Sequence, residues 1–401
     1  METTPARRHY TVLIVGGGSA GITVAAHLLQ SDDAPDVGII DPASKHYYQP
    51  IWTLVGAGAV EKASSARDMA EVIPPGADWI QDRAVNFAPE ENTVATAQGH
   101  TFTYDYLVMA MGIQLDWDHI PGLAESVGKP GTGVCSNYSY DTVDSTWENI
   151  RNFSGGRAIF TQPATAIKCG GAPQKIMYLA DEAFRRQGVR EQSEIFFCTA
   201  KAGIFSVDKY ARTLQQIIKR KDLKPQFEHN LKAIDADRKE ATFDHQGEDV
   251  TFSYDLLHVT PPMSAPDIVK ESPLANEAGW VDVHKYTLQH LTYDNVFALG
   301  DCSSLPTSKT GAAVRKQAPT VVKNLQALRH GHPLEAQYDG YTSCPLVTGY
   351  GSLVLAEFSG YTGEPMETFP FDQSQERYSM YLMKKNGLPN LYWHGMLKGR
   401  A

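Results

Sequence analysis

The sequence predicts an α/β protein with parallel sheets. Three observations carry that expectation. Apolar runs of strand length alternate with runs of helix length along most of the chain. The first of them, VLIV, is continuous rather than alternating, as in a parallel strand buried on both faces. It runs straight into a glycine turn and a helix, the opening of a βαβ unit. At 401 residues the chain is long enough for two nucleotide-sized domains and a tail. Its 42% hydrophobic and 20% charged residues are ordinary for a globular protein with a large core.

Taken in order, HYTVLIVGGGSAGITVAAHLLQ reads as strand, glycine turn and helix, and VGIID as the second strand, ending at Asp41. TFTYDYLVMAMG is a later strand with Gly112 at its end. RAIFTQ (157–162) and EIFFCT (194–199) are strands on either side of a helix over about 173–187. LLHVTPP and VFALGD are two further apolar strands. TGAAVRKQAPTVVKNLQALRH reads as a helix kinked or restarted at Pro319. From Tyr338 the pattern turns to antiparallel strands with glycine turns. The last stretch predicts two short helices broken at Gly387-Leu388-Pro389. No fixed-period repeat and no low-complexity tract interrupts the chain.

Charge and cysteines narrow the function. A net charge of −10 argues against a nucleic-acid partner, because phosphate affinity needs a basic face. The five cysteines are widely spaced and form no CxxC, so no metal site and no thioredoxin-type pair is expected. No apolar run reaches transmembrane length. Arg7-Arg8 precedes a four-residue apolar run, too short for an export signal, and no Arg/Ser-rich presequence points to organelle import.

The first candidate site is a nucleotide loop. Gly16, Gly18 and Gly21 stand in GxGxxG spacing, with Gly17, Ser19 and Ala20 completing it, between a strand and a helix. Glycines let the backbone approach a pyrophosphate, and the helix N-terminus stabilises its charge. Asp41, twenty residues beyond Gly21, would accept from ribose hydroxyls. The loop alone suits FAD or NAD. The strand ending at Gly112 and the Gly300-Asp301 pair after a third strand resemble the later motifs of two-dinucleotide flavoproteins, and that resemblance favours FAD.

The second candidate is a sulfur site. After RAIFTQ a nicotinamide domain would show another glycine triplet, but the sequence gives PATAIKCGGAP. Cys169 sits where that phosphate loop would sit, before a helix whose first turn carries Pro173. A thiol at a helix N-terminus beside Lys168 should have a lowered pKa. Cys344 precedes the C-terminal strands, and a fold that joins the two halves would let the two sulfurs face each other. Cys198 and Cys302 read as packing residues; Cys135 stays open.

These segments resemble sulfide:quinone oxidoreductases, most closely the mitochondrial type and its bacterial relatives. The resemblance is carried by HYYQPIWTLVGAG, KCGGAPQKIMYL, LLHVTPPMSAPD, GDCSSLPTSKT, YDGYTSCPLVTGY and ETFPFDQSQERYSMYLMK, and spans about residues 9–393. It implies two Rossmann-like FAD/NAD(P)-type domains with parallel sheets and a C-terminal membrane-interface region. The FAD domain would take residues 1–115 and 280–337, the second domain 116–279, and the tail 338–401. The resemblance places Gly16–Gly21, Asp41, Gln49, Ala84, Val85, Gly112, Gly300, Asp301, Lys309, Thr310, Gly311 and Ala312 on FAD. Lys309 would stabilise the reduced flavin.

It also makes Cys169 and Cys344 the redox pair. Hydrogen sulfide would attack on the Cys344 side and leave a persulfide, freeing Cys169 as thiolate toward the flavin. A small-molecule acceptor (thiol, sulfite or sulfide) would take the sulfur, and ubiquinone or another membrane quinone the electrons. Three departures stand out. The chain ends soon after YWHGMLKGRA, Arg315 and Lys316 replace small residues, and Cys135 lies where distant members carry a third cysteine.

The tail supports a membrane partner independently. From Arg377 onward there are five Lys/Arg and no Asp/Glu. Tyr381, Leu382, Met383, Leu388, Leu391, Tyr392, Trp393, Met396 and Leu397 would form an apolar face lying in a bilayer interface. Phe369 and Phe371 are candidate quinone contacts. The expected location is the cytoplasmic face of a bacterial inner membrane, with a homo-oligomer left open. Two enzyme readings compete: an NADH:quinone oxidoreductase-like flavoprotein, which needs a second glycine loop, and a flavocytochrome-type sulfide dehydrogenase, which needs export.

Overall fold

The structure, a computed structural model, describes residues 8–401. Arg7 of the Arg7-Arg8 pair lies outside them. Among the described residues the chain builds two main sheets.

The first sheet is a consequence of the apolar strands. His9–Val15 lies between Val37–Ile40 and Thr101–Met109, all parallel. Leu13, Ile14, Ile39, Leu107 and Val108 are completely buried, as a two-sided sheet requires. Val296–Ala298 returns from far along the sequence to pair parallel with Leu107–Met109. An antiparallel edge, Thr93–Thr96 and Ala84–Ala88, extends the sheet on the same side.

The second sheet is wholly parallel and runs in the order Val134–Cys135, Leu256–His258, Gly156–Gln162, Ser193–Thr199, Lys224–Phe227. The helix Ala172–Gln187 makes the crossover between its two longest strands. A three-stranded antiparallel meander over residues 229–253 lies beside it, formed from charged sequence in which alternation is weak.

Two expected helix breaks do not occur. Gly311–Arg329 is one helix with Pro319 inside it. A proline there forfeits a backbone hydrogen bond, at a cost of about 3 kcal/mol. Ala313, Val314, Gln317 and Ala318 before it, and Val321 and Leu325 after it, are all buried, so one packed face keeps the helix continuous through the proline. The tail is likewise continuously helical over 378–398. Gly387 and Leu388 keep right-handed helical angles. The turn Met383–Gly387 widens to π-helix, which relieves the crowding Pro389 imposes on the carbonyl of Lys385, and Leu391–Gly395 widens in the same way beyond it.

That tail is not a detached pair of interfacial helices. Tyr381, Tyr392, Trp393, Met396 and Leu397 are buried against the protein, and only Leu382 and Leu391 of the expected apolar face are exposed. Met383 and Leu388 are half-buried. Tyr392 explains the anchoring: its hydroxyl is hydrogen-bonded with Ser19 Oγ at 2.7 Å and with His46 Nε2. Arg67 lies over the Trp393 ring at 4.3 Å. Phe369 and Phe371 stack on each other, centroids 5.3 Å apart, and both are half-buried.

Candidate active site

The nucleotide loop is built for close approach of a ligand. Gly16 has φ +109°, and a Cβ there would lie 2.3 Å from Ala110 O. A Cβ on Gly21 would lie 1.9 Å from Gly16 O, so the helix Ser19–Leu28 can press against the strand only through glycine. Gly18 faces the other way: a Cβ there meets nothing within 4 Å, and the same holds at Gly112. Asp41 accepts from Gly17 N at 2.6 Å and Ala43 N at 2.8 Å. Burial raises its pKa, and those two amides oppose the rise.

The later residues close in from the other side. Gly300 is held through its amide by Gln317 Oε1 at 2.9 Å. Asp301 is half-buried, and among the described residues its carboxylate accepts no hydrogen bond. Burial raises its pKa, against the opposing charges of Lys309 and Lys168. A small pocket of about 10 Å³ opens here, lined by Gly300, Asp301, Lys309, Thr310 and Gln317. Lys309 Nζ donates to the carbonyls of Asp301 (2.6 Å) and Ser303 (3.1 Å), and sits 3.8 Å from the centre of the Trp280 ring. Thr310 caps the helix Gly311–Arg329. Gly311 and Ala312 open its first turn, beside Pro50 and hence Gln49. Ala84 is buried and Val85 exposed at the start of their strand. An open glycine face, a ribose acceptor and a free carboxylate at one sheet edge fit a dinucleotide.

The two cysteines meet. Cys169 Sγ and Cys344 Sγ are 3.0 Å apart, although 175 residues separate them. Two bridges bring their segments together. Lys168 pairs parallel with Lys309, and Thr342, two residues before Cys344, is hydrogen-bonded with Thr310 at 2.9 Å. The sulfur pair thus adjoins Lys309–Ala312. Cys169 has φ +89°, a left-handed conformation in a residue that bears a Cβ. Such strain costs about 1–3 kcal/mol and concentrates at functional sites.

Electrostatics divides the pair. Cys169 is held well below the usual thiol range, first by the hydrogen bond from Cys344, then by the positive charges of Lys175 and Lys384, against the opposing effect of burial. Cys344 is pushed up by the same hydrogen bond and by burial. Lys168, the lysine expected to act on Cys169, points elsewhere. Its Nζ donates to Gln49 Oε1 at 2.8 Å and to Tyr138 O at 2.9 Å. Burial lowers its pKa to about 8.

The lysines that serve the sulfurs were not singled out by sequence. Lys175 Nζ lies 3.5 Å from Cys169 Sγ. Burial would depress its pKa, but the facing sulfurs raise it. Lys384, read as part of a basic tail surface, is buried at 2% exposure and donates to Pro50 O at 2.6 Å. Burial and then repulsion from Lys175 bring its pKa down to about 7. One signal was available for Lys175: it falls inside the otherwise apolar first turns of PQKIMYLA. Nothing local separates Lys384 from Lys385.

The remaining thiols are buried. Cys135 is fully buried in the second sheet, and loss of hydration pushes its thiol up to about 12. Cys302 is pushed up to about 11 for the same reason, and burial also raises Cys198.

Residues 10–144 match the family model of pyridine nucleotide-disulphide oxidoreductases. The chain is 51% identical over 397 residues to the mitochondrial sulfide:quinone oxidoreductase of Mus musculus, covering 98% of this chain and 88% of that protein. It is 48% identical over 392 residues to the Dictyostelium discoideum protein of the same name, covering 97% and 86%. Among solved structures, the sulfide:quinone oxidoreductase of Aquifex aeolicus superposes with a TM-score of 0.84 at 18% identity, covering 98% of this chain and 92% of that one. That likeness shows the shared fold. The two most similar of these relatives are mitochondrial by name, so the expected seat on a bacterial inner membrane finds no support in them. With the glycine cradle and the sulfur pair in place, and with near-full-length identity at this level, the chain belongs to the family of mitochondrial-type sulfide:quinone oxidoreductases.

Proposed function

We propose that this chain oxidises sulfide to zero-valent sulfur at Cys169 and Cys344, and passes the electron pair through bound FAD to a membrane quinone. One observation carries the reading: two sulfurs 3.0 Å apart, served by buried lysines, beside a dinucleotide cradle. In the oxidised state the two sulfurs are linked. Hydrosulfide attacks Cys344 Sγ, a persulfide forms there, the link breaks, and Cys169 leaves as thiolate. Lys175 and Lys384 stabilise that anion and favour entry of the anionic substrate. A small thiol, sulfite or a second sulfide removes the outer sulfur and leaves both cysteines reduced. Their electron pair is released as the link re-forms; bound FAD would supply the two-electron acceptor and the route to quinone. Gly16–Gly21, Asp41, Gln49, Ala84, Val85, Gly112, Gly300, Asp301 and Lys309–Ala312 would hold FAD. The domain division given above is proposed with it.

The NADH reading is less well supported. The hairpin strand Tyr341–Gly349 packs Cys344 and Leu346 against Gly171, in the region where a second nucleotide loop would lie. Anaerobic titration tests the choice. Sulfide should bleach the oxidised flavin, NADH should not, and a short-chain quinone should restore the colour. Bleaching by NADH alone would sink the proposal.

No helix among the described residues is long and apolar enough to cross a membrane. Tyr378, Leu382 and Leu391 are nevertheless exposed along the tail. We place the lipid contact there, with Lys385 beside it. Burying one leucine contributes about 1.5–3 kcal/mol, so Leu382→Glu with Leu391→Glu should lower partitioning onto anionic vesicles by roughly a hundred-fold. Sulfide-driven flavin reduction should be unchanged. Vesicle sedimentation and stopped-flow absorbance check the two arms.

A further inference from the structure

We infer that Gly171 is a positioning residue: its missing side chain is what lets the Cys344 sulfur stand 3.0 Å from Cys169. The inference rests on the sulfur-pair reading above and assigns a spacing function to one member of the Gly170-Gly171 doublet.

A Cβ on Gly171 would lie 2.7 Å from Cys344 Sγ, 2.5 Å from Leu346 Cδ2 and 3.1 Å from Phe205 Cε2. Unstrained carbon contacts begin near 3.5 Å. The requirement is steric more than conformational: Gly171 has φ −94° and ψ 0°, a region that residues bearing a Cβ also occupy in turns. Gly170 is the internal contrast, because a Cβ there meets nothing within 4 Å.

What decides the outcome is which neighbour yields. Leu346 is fully buried in the hairpin. Phe205 is wedged edge-on between Tyr210 and Phe358, with centroids 6.3 and 5.7 Å away. Cys344 needs only one side-chain torsion to move its sulfur. Turning that torsion relieves the sulfur contact and carries Sγ away from Cys169, while the Leu346 Cδ2 contact is relieved only by a shift of that side chain. The cheapest relief therefore dismantles the pair while the fold stands.

The test compares Gly171→Ala, Gly170→Ala and wild type as FAD-loaded protein. Gly171→Ala should fold, keep its flavin content and its reduction by dithionite, and melt somewhat lower, because the added carbon crowds the buried Leu346. Its reduction by sulfide should fall at least about a hundred-fold, the usual loss for a reacting group misplaced by about 1 Å. After mild oxidation, non-reducing peptide mapping should find the 169–344 link in wild type and Gly170→Ala but not in Gly171→Ala. Gly171→Ala with Leu346→Val removes the leucine clash and leaves the sulfur clash, so it should behave like the single variant. Wild-type sulfide kinetics in either Gly171 variant would overturn the inference. So would failure of both to fold while Gly170→Ala folds, since Gly171 would then serve the fold rather than the sulfurs. Absence of sulfide reduction in wild type would instead sink the functional reading on which the inference rests.

Discussion

Cys344→Ala and Cys169→Ala should each slow sulfide-driven flavin reduction by on the order of 10⁴-fold, the scale on which enzymes lose rate when a covalent nucleophile is removed. Both should still bind FAD and melt normally, because neither side chain touches the glycine loop. The two variants should differ in detail. Without Cys344 the persulfide has no seat, and Cys169 loses the hydrogen bond that contributes most to holding its proton off. Its thiol should then titrate higher. Without Cys169, Cys344 loses the partner that does most to raise its pKa and keeps the charge of Lys175, so its thiol should titrate lower than in wild type, with burial still opposing ionisation. Stopped-flow absorbance gives the rates, and iodoacetamide labelling against pH gives the thiol titrations. Substantial turnover in either variant would remove the sulfur pair from the mechanism.

Lys175→Met should cost on the order of a hundred-fold in the same half-reaction at neutral pH, the size of shift an adjacent opposite charge exerts on an ionisable group. The pH profile separates this from simple damage. Cys169 is depressed, so its thiolate is present at neutral pH and is lost as pH falls through the depressed value. Removing the Lys175 charge raises that value and moves the acid limb upward. Lys384 is also depressed, to about 7, by burial and then by Lys175. With Lys175 gone it should keep its proton to higher pH, so the alkaline limb should move upward too. Lys175→Arg should recover much of the rate. A uniform fall in rate with unmoved limbs would make Lys175 a packing residue.

The strands and the glycine loop were legible because their signals are local. VLIV needs no partner to read as a two-sided strand, and Gly16, Gly21 and Asp41 announce themselves by spacing. The meeting of Cys169 with Cys344 was legible only through family resemblance, since no local rule joins positions 175 residues apart. What stayed hidden depended on long-range packing. Pro319 lies inside an unbroken helix because buried residues on both sides hold it there. Lys384 and Lys385 look alike in the sequence, yet one is sealed beside the sulfurs and the other is half-exposed.

The tail helix is pinned at three stations along one rod. Lys384 fastens it to Pro50, Tyr392 to the first glycine loop through Ser19, and the carbonyl of Lys398 to Gln30. Tyr378, Leu382 and Leu391 look outward from the same rod. A truncation before residue 378 would therefore strip away a lipid foothold, a counter-charge and a clasp on the cradle in a single stroke. Defects in bilayer residence, sulfur turnover and flavin retention should travel together in such a protein, as symptoms of one lost beam.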